Sequence, residues 1–296
     1  MRRCSSRPSE TNSRDQRAAA GYVSGVPRVI ACDESGYEGE HLIGGVTAVF
    51  AHAGTDLDVA AAEEVVAHLR ARIRSPAQEY KANHLLRSKH RGALEWTLER
   101  MAGHASVHLV DKAFLLASTV AKIAPEQEPV PAAVLVAAEP VLRARTAAEL
   151  ATATVMLRAV APAIADAVAQ RRADELAAPP PFPPLDPLPP AIGATVARWS
   201  AAGPVELVHD RQTTLSDERI AALRTAFPAL AGLTLVPSRS DARVQVADFV
   251  AGVAYRITAH ALAGHGDPAL LELLRPHVDP RSVWSDPRSG AALGLA

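Results

Sequence analysis

The chain has 296 residues, of which 48% are hydrophobic, and its formal net charge is −1. This length and hydrophobic content are sufficient for a sizeable core, in one large domain or in one domain with an insertion. Because the charges nearly cancel, a basic field over the whole protein is excluded, and any binding of nucleic acid must use a local patch. The two cysteines, Cys4 and Cys32, are not expected to pair, which is typical of a reducing compartment such as the cytoplasm.

The N-terminal segment, residues 1–25, contains arginines with no apolar stretch behind them. It therefore lacks the pattern of a secretory signal, and we expect a disordered tail. No apolar run elsewhere reaches the length of a membrane span, because charges and prolines interrupt the alanine-rich stretches. We expect one domain over residues 26–275 and a C-terminal tail over residues 276–296.

The first half of the domain alternates strand and helix patterns. A buried strand is predicted over residues 27–33, and a second strand over 41–52 that pairs with it as a hairpin. Two amphipathic helices follow, over 56–73 and 88–104, and they are separated by a short loop. A third strand is predicted over residues 105–112.

The second half begins with an alanine-rich stretch, residues 113–177, for which we predict a helical insertion. Residues 178–190 contain so many prolines that we expect an extended, exposed connector there. The remaining order is strand, helix, strand and one long helix, whose ranges are 204–210, 215–227, 233–237 and 241–262. Alternation of strands and helices predicts an α/β fold with a largely parallel sheet.

Three of the predicted strands end in an aspartate, namely Asp33, Asp111 and Asp210. Any one of them is explained by the frequency of aspartate in turns and helix caps. Together they favour a site, because ligands of such sheets gather beyond the carboxyl ends of the strands.

The last helix has a core face and a slim polar face. Its core face consists of Val246, Phe249, Val250, Val253 and Ile257. Gln245, Asp248 and Gly252 follow one another along a neighbouring face at helical spacing. That face is either exposed to solvent or packed against the strand ends, where it would bring Asp248 to the tip of the sheet.

The loop after the first helix contains Glu79 and Lys81 in the short motif "EYK". Taken alone, this motif is best explained as an exposed loop. Basic residues flank it on both sides, and they either contact a nucleic-acid backbone or form a solvated helix face: Arg70, Arg72, Arg74, Arg87, Lys89 and Arg91.

The ordered motifs "DESGYEG", "EYK", "VDK", "VHDR" and "QVADFVAG" give the chain a recognisable pattern. Over about residues 28–260, without the insertion, it resembles a large prokaryotic family called domain of unknown function 3800. The resemblance implies a ribonuclease-H-like mixed sheet of about five strands flanked by helices, and a metal-dependent nuclease site. The implied catalytic and metal-binding residues are Asp33, Glu79, Asp210 and Asp248, with Asp111 as the alternative to Asp210.

The chemistry implied by the resemblance uses Mg²⁺ or Mn²⁺, since these hard cations prefer carboxylate oxygen. Ser35, Lys81 and Gln245 are the candidate substrate-binding residues, and His209 is either a proton shuttle or simply packed. Nucleic acid is the expected partner, and the alanine-rich helices offer a surface for a homodimer. Two alternatives stay open. One is a non-catalytic ribonuclease-H-like scaffold that binds nucleic acid or a protein, and the other is a hydrolase of a small phosphorylated metabolite.

Overall fold

The computed structural model describes residues 26–73 and 88–295. The strands are β1 (Arg28–Ser35), β2 (Val49–Thr55), β3 (Ala105–Asp111), β4 (Val205–Asp210) and β5 (Leu230–Val236). The helices before β4 are α1 (Val59–Ile73), α2 (Arg91–Met101), α3 (Lys112–Ile123), α4 (Ala132–Arg143), α5 (Ala147–Val160), α6 (Pro162–Ala177) and α7 (Leu188–Trp199). The later helices are α8 (Asp217–Ala226), α9 (Ala242–Leu262), α10 (Pro268–Leu274) and α11 (Pro287–Leu293).

The strands form one five-stranded mixed sheet in the order β3-β2-β1-β4-β5. Strand β2 is antiparallel to both β1 and β3, whereas β4 is parallel to both β1 and β5. Consequently β1, β3, β4 and β5 all end at the same edge of the sheet. The predicted α/β class, with about five strands flanked by helices, is confirmed.

Helices cover both faces of this sheet because the strand residues alternate between two apolar layers. Ala51 and Ala53 of β2 lie on the first face and pack against α9 and α1. The predicted core face of α9 is buried here throughout. Ile30 and Cys32 of β1 lie on the second face, which α7 covers. Small alanines on the first face allow α9 to approach the strands closely, and this approach brings its polar face to the strand ends.

The alanine-rich stretch folds as helices α3–α6, which share a core of their own. Alanine favours the helical state, and the larger residues Val141, Leu157, Ile164 and Val168 are fully buried in this core. No helix in the described ranges is both long and apolar enough to cross a membrane.

Two segments of the sheet domain differ from the sequence predictions. The second strand begins at Val49 and not at residue 41, since the chain from Gly36 to Ala48 forms a loop. The proline-rich connector is neither extended nor exposed throughout, because Leu185 to Pro189 are buried and α7 starts at Leu188. Proline is tolerated in a first helical turn, where its missing N–H has no partner to lose.

The C-terminal segment is not a free tail. Val278 and Val283 form bridges to β3, and α11 packs against α10. A parallel segment therefore covers the outer edge of β3, which removes an unpaired strand edge. The predicted N-terminal tail, residues 1–25, lies outside the described residues.

Candidate active site

The carboxyl ends of β1 and β4 bring two predicted site residues side by side. The last paired positions of these parallel strands are Cys32 and His209, so Asp33 and Asp210 follow as the next neighbours. Asp33 is also opposite Ala53 of β2, which places its side chain on the face covered by α9. Helix α9 packs on β1 and contributes Asp248 to the same place.

Asp33 is crowded by other carboxylates. Its side chain is almost completely buried, with 6% of the residue exposed. Burial raises its pKa most, and the charges of Glu34, Asp248 and Asp210 raise it further, to about 9. One hydrogen bond opposes this change, because the Glu34 amide donates to Asp33 Oδ1 over 2.7 Å. Neither Asp33 nor Asp210 forms an ion pair with a lysine or arginine within the described ranges.

The structure separates the two candidates for the strand aspartate. Asp210 accepts a hydrogen bond from the Ser238 amide over 2.8 Å and lies beside Asp33. Asp111 pairs with Val49 of β2 and is two strands away from Asp33. The two aspartates are separated by roughly 10 Å across the sheet and roughly 13 Å along the strand direction. Its side chain caps α3 by accepting from the Phe114 amide, and it also accepts from the Ser285 hydroxyl. Asp111 therefore has a structural role.

Glu34 belongs to this cluster, although no site role was predicted for it. Its side chain is on the opposite face from Asp33, as strand alternation requires. Gln212 donates to Glu34 Oε1 over 2.5 Å, whereas Oε2 is buried and accepts no hydrogen bond from a described residue. Burial raises the pKa of Glu34, and the nearby His209 partly opposes this. The only sequence signal for Glu34 was its place next to Asp33 in the "DESG" motif.

Behind Glu34 lies a buried chain of two histidines. His209 Nε2 is 3.6 Å from Glu34 Oε2 and 3.2 Å from His52 Nε2. His209 Nδ1 is 2.9 Å from the Asp210 carbonyl oxygen, and His52 Nδ1 is 3.1 Å from Thr195 Oγ1. One assignment satisfies all three contacts with neutral rings: Thr195 donates to His52, His52 donates to His209, and His209 donates to the Asp210 carbonyl. His209 is thus packed and hydrogen-bonded behind the site.

The loop that follows Ser35 is held by a buried lysine. Gly36 has a φ of 77°, and a Cβ there would lie 2.2 Å from the Val49 carbonyl oxygen, so only glycine fits. The Thr47 hydroxyl lies 3.0 Å from the Gly36 carbonyl oxygen. Lys112 Nζ donates to both Thr47 Oγ1 and Glu38 Oε2 over 2.5 Å, and Lys112 is completely buried. This Lys112–Glu38–Thr47 cluster fixes the loop beside the carboxylates.

A cavity of about 430 Å³ opens at this edge of the sheet. Glu34, Ser35 and Asp248 line it, together with Arg256 of α9. Gln245, a predicted substrate residue, lines a separate cavity with Arg70 and Arg239. The structure thus brings Ser35 to the carboxylates and assigns Gln245 to a different surface.

The remaining predicted residues divide into two groups. Glu79, Lys81, Arg74 and Arg87 lie outside the described residues. Three of the other basic residues, Arg70, Arg72 and Arg91, interact within the protein. Arg72 donates to the Gly92 carbonyl and lies over the Trp96 ring, and Arg91 forms ion pairs with Glu95 and Asp267.

The carboxylate oxygens of Asp33, Asp210 and Asp248 are suitable ligands for a hard divalent cation. Carboxylate oxygen is the preferred ligand of Mg²⁺ and Mn²⁺, and a bound cation would relieve the repulsion that raises the pKa of Asp33. In residues 26–73 and 88–295, however, no three His, Cys, Asp or Glu side chains converge closely enough to hold an ion as they stand.

No protein-family model, curated protein or solved structure matches this chain.

Proposed function

We propose that this protein is a metal-dependent nuclease, which hydrolyses phosphodiester bonds at the carboxylate cluster beyond β1 and β4. The observation that supports this most is the environment of Asp33. It is buried, three other carboxylates raise its pKa, and no described lysine or arginine forms an ion pair with it. Such crowding is costly for a structural residue and is typical of a functional site.

Asp33, Asp210 and Asp248 would hold Mg²⁺ or Mn²⁺, and Glu79 is the further ligand that the family resemblance implies. When bound, the cation would lower the pKa of a water molecule and stabilise negative charge on the leaving oxygen. The protein itself orients the ligands. The Ser238 amide holds Asp210, the Glu34 amide holds Asp33, and α9 positions Asp248 over the strand ends.

A ribonuclease-H-like architecture is part of the same proposal, because a five-stranded mixed sheet with helices on both faces agrees with what the family resemblance implies. The expected partner is nucleic acid, and the expected location is the cytoplasm. A homodimer through the insertion would use its exposed apolar residues Val136, Val155 and Met156.

The competing hypothesis is a non-catalytic scaffold that binds nucleic acid or a protein. A scaffold has no need of crowded acids, and it would gain stability if arginine or lysine neutralised them. The absence of ion pairs at Asp33 and Asp210 within the described ranges therefore favours the enzyme.

The decisive experiment is incubation with single- and double-stranded DNA and RNA in the presence of Mn²⁺. We expect the wild-type protein to cleave at least one of these substrates, and Asp33→Asn and Asp248→Asn to lose cleavage by roughly a hundredfold or more. Asp166→Asn is the matched control, since Asp166 is exposed on α6 and lies in the insertion. Equal cleavage by all four proteins, or cleavage by none, would contradict the proposal.

A further inference from the structure

The polar face of α9 extends beyond the residues that the sequence analysis identified. Asp248, Gly252 and Arg256 follow one another at intervals of four, so they lie along one face of the helix. All three line the cavity of about 430 Å³. Gly252 has no side chain, so no side chain on this face lies between those of Asp248 and Arg256.

Arg256 has no partner within the described part of the chain. It is exposed, and it forms no hydrogen bond or ion pair with any described residue, even though Glu34 and Asp248 line the same cavity. Most other arginines near acidic residues in this protein are paired, as Arg243 is with Asp241 and Arg219 with Asp186. The unpaired guanidinium is therefore available to a ligand.

The cavity has two chemically different ends. At one end lie two acidic residues, Glu34 and Asp248, and a cation bound there would attract an anion. The guanidinium end attracts phosphate, which arginine binds through two parallel hydrogen bonds. Ser35, Thr47 and Tyr255 also line the cavity. A phosphate ester satisfies both ends, because one part can face the cation and another can face Arg256.

Two tyrosine rings also line this cavity. The chain has four tyrosines, and two of them, Tyr37 and Tyr255, line it. The Tyr37 hydroxyl lies 3.2 Å from both carboxylate oxygens of Asp186, so its partner is within the protein. The Tyr255 hydroxyl has no hydrogen-bond partner among the described residues. Tyrosine rings are suitable surfaces for stacking with nucleobases.

We propose that this cavity is a pocket for one unpaired nucleotide, in which Arg256 binds a phosphate group and Tyr255 contacts the base. This inference rests on the proposed nuclease function and specifies its substrate. A volume of about 430 Å³ falls within the range of small-ligand pockets, roughly 300 to 1,000 Å³, and is suitable for one nucleotide. The site therefore accepts single-stranded nucleic acid or a frayed end.

The test is calorimetric titration with adenosine 5′-monophosphate and, separately, with adenosine, each in buffers that contain either EDTA or Mg²⁺. We expect saturable binding of the monophosphate, and binding of adenosine that is weaker by roughly tenfold or more, since a charge-assisted phosphate contact contributes about that much. Arg256→Gln should weaken binding of the monophosphate by a similar factor and leave adenosine unchanged. Arg224→Gln, an exposed arginine on α8, is the matched control and should leave both unchanged.

A second arm tests the preference for an unpaired strand. A single-stranded oligonucleotide should displace the bound monophosphate, and a blunt, fully paired duplex should displace it at least roughly tenfold less well. No binding of the monophosphate in either buffer, equal binding by Arg256→Gln, or equal displacement by the duplex would overturn the pocket.

The outcome is separable from that of the nuclease proposal. If the monophosphate binds in a manner that depends on Arg256 but no nucleic acid is cleaved, the pocket is supported and only the nuclease proposal is contradicted. Cleavage of nucleic acid together with binding that is independent of Arg256 would remove only the pocket.

Discussion

Asp33 and Asp210 lie side by side at the ends of two parallel strands, one position beyond the paired residues Cys32 and His209. Two carboxylates in this position, with Asp248 above them on α9, repel one another, and burial removes the water that would screen them. The cluster therefore destabilises the protein when no cation is present. A bound cation would attract all of these carboxylates, so the cluster would then stabilise the protein.

The first prediction concerns stability and pH. Asp33 has a pKa of about 9 in the folded protein and an ordinary value of 3.8. Its neutral form stabilises the fold fully below pH 3.8, and this contribution is lost as the pH rises towards 9. Asp33→Asn removes the titration, so in EDTA the variant should be more stable than the wild type at pH 8.

Urea unfolding at pH 5 and pH 8 measures this effect. The unfolding free energy of Asp33→Asn, relative to that of the wild type, should increase by about 1 kcal/mol or more from pH 5 to pH 8, because one pKa unit corresponds to about 1.4 kcal/mol. Asp166→Asn should show no such trend. A variant that is less stable than the wild type at both pH values would show that Asp33 is not crowded by charge.

The second prediction separates Asp210 from Asp111. Asp210→Ala should reduce cleavage by roughly a hundredfold or more, since it removes a proposed ligand. Asp111→Ala should retain cleavage at temperatures where it is folded, and should lose about 1 to 2 kcal/mol of unfolding free energy because it removes the cap of α3. Cleavage assays and urea unfolding of both variants check this. The reverse pattern would place Asp111 in the site.

The third prediction concerns the Lys112–Glu38–Thr47 cluster. Glu38→Gln leaves the buried Lys112 ammonium without its counter-charge, and should reduce stability by about 3 to 5 kcal/mol. The double variant Glu38→Gln with Lys112→Met should recover part of that loss, since it no longer buries a charge. Urea unfolding of the single and double variants decides, and a double variant less stable than the single one would contradict this role.

The same cluster predicts a sensitivity to acid. Burial alone would raise the pKa of Glu38, but hydrogen bonds from Lys112, the Val46 amide and Thr47 lower it to about 2. The carboxylate therefore stabilises the fold above pH 4.5, and this contribution is lost as the pH falls towards 2. Glu38→Gln should remove this component from the acid-unfolding curve measured by circular dichroism.

The fourth prediction uses two glycines of the same loop. Gly36 and Gly39 both have positive φ, of 77° and 61°. A Cβ at Gly36 would meet the Val49 carbonyl oxygen at 2.2 Å, whereas a Cβ at Gly39 would have nothing within 4 Å. Gly39→Ala should cost about 1 kcal/mol for its backbone conformation, and Gly36→Ala should cost clearly more. If thermal unfolding shows that the two variants lose the same stability, the loop at Gly36 can shift to accept a side chain.

Local patterns in the sequence were sufficient to predict the order of the five strands, the helices α1, α2, α8 and α9, and the core face of α9. They did not predict α7, which starts in the proline-rich connector, or α10 and α11. They also indicated that Asp33, Asp111 and Asp210 end strands, and they left Asp248 either exposed or at the tip of the sheet. The choice of Asp33, Asp210 and Asp248, with Glu79, came from the family resemblance. The sequence could not show whether Asp111 caps a helix or belongs to the site, because an aspartate at the end of a strand is expected in either case. The start of β2 was missed because the apolar residues of the loop, such as Leu42 and Ile43, resemble a strand.

Other features depend on contacts between distant parts of the chain. Lys112 is buried only because Glu38 and Thr47 meet it from a loop more than sixty residues earlier. Val278 and Val283 pair with β3, although nothing in their own segment has a strand pattern. Arg256 reaches the cavity only because α9 crosses the strand ends, and no residue near it in sequence indicates this.

The most direct test of the proposed metal site is a calorimetric titration of the wild-type protein with Mn²⁺. We expect saturable binding that is lost in both Asp33→Asn and Asp248→Asn and is retained in Asp166→Asn. If the wild type does not bind Mn²⁺, or if the two site variants bind it as well as the control does, then the carboxylates at the ends of β1 and β4 do not form a metal site.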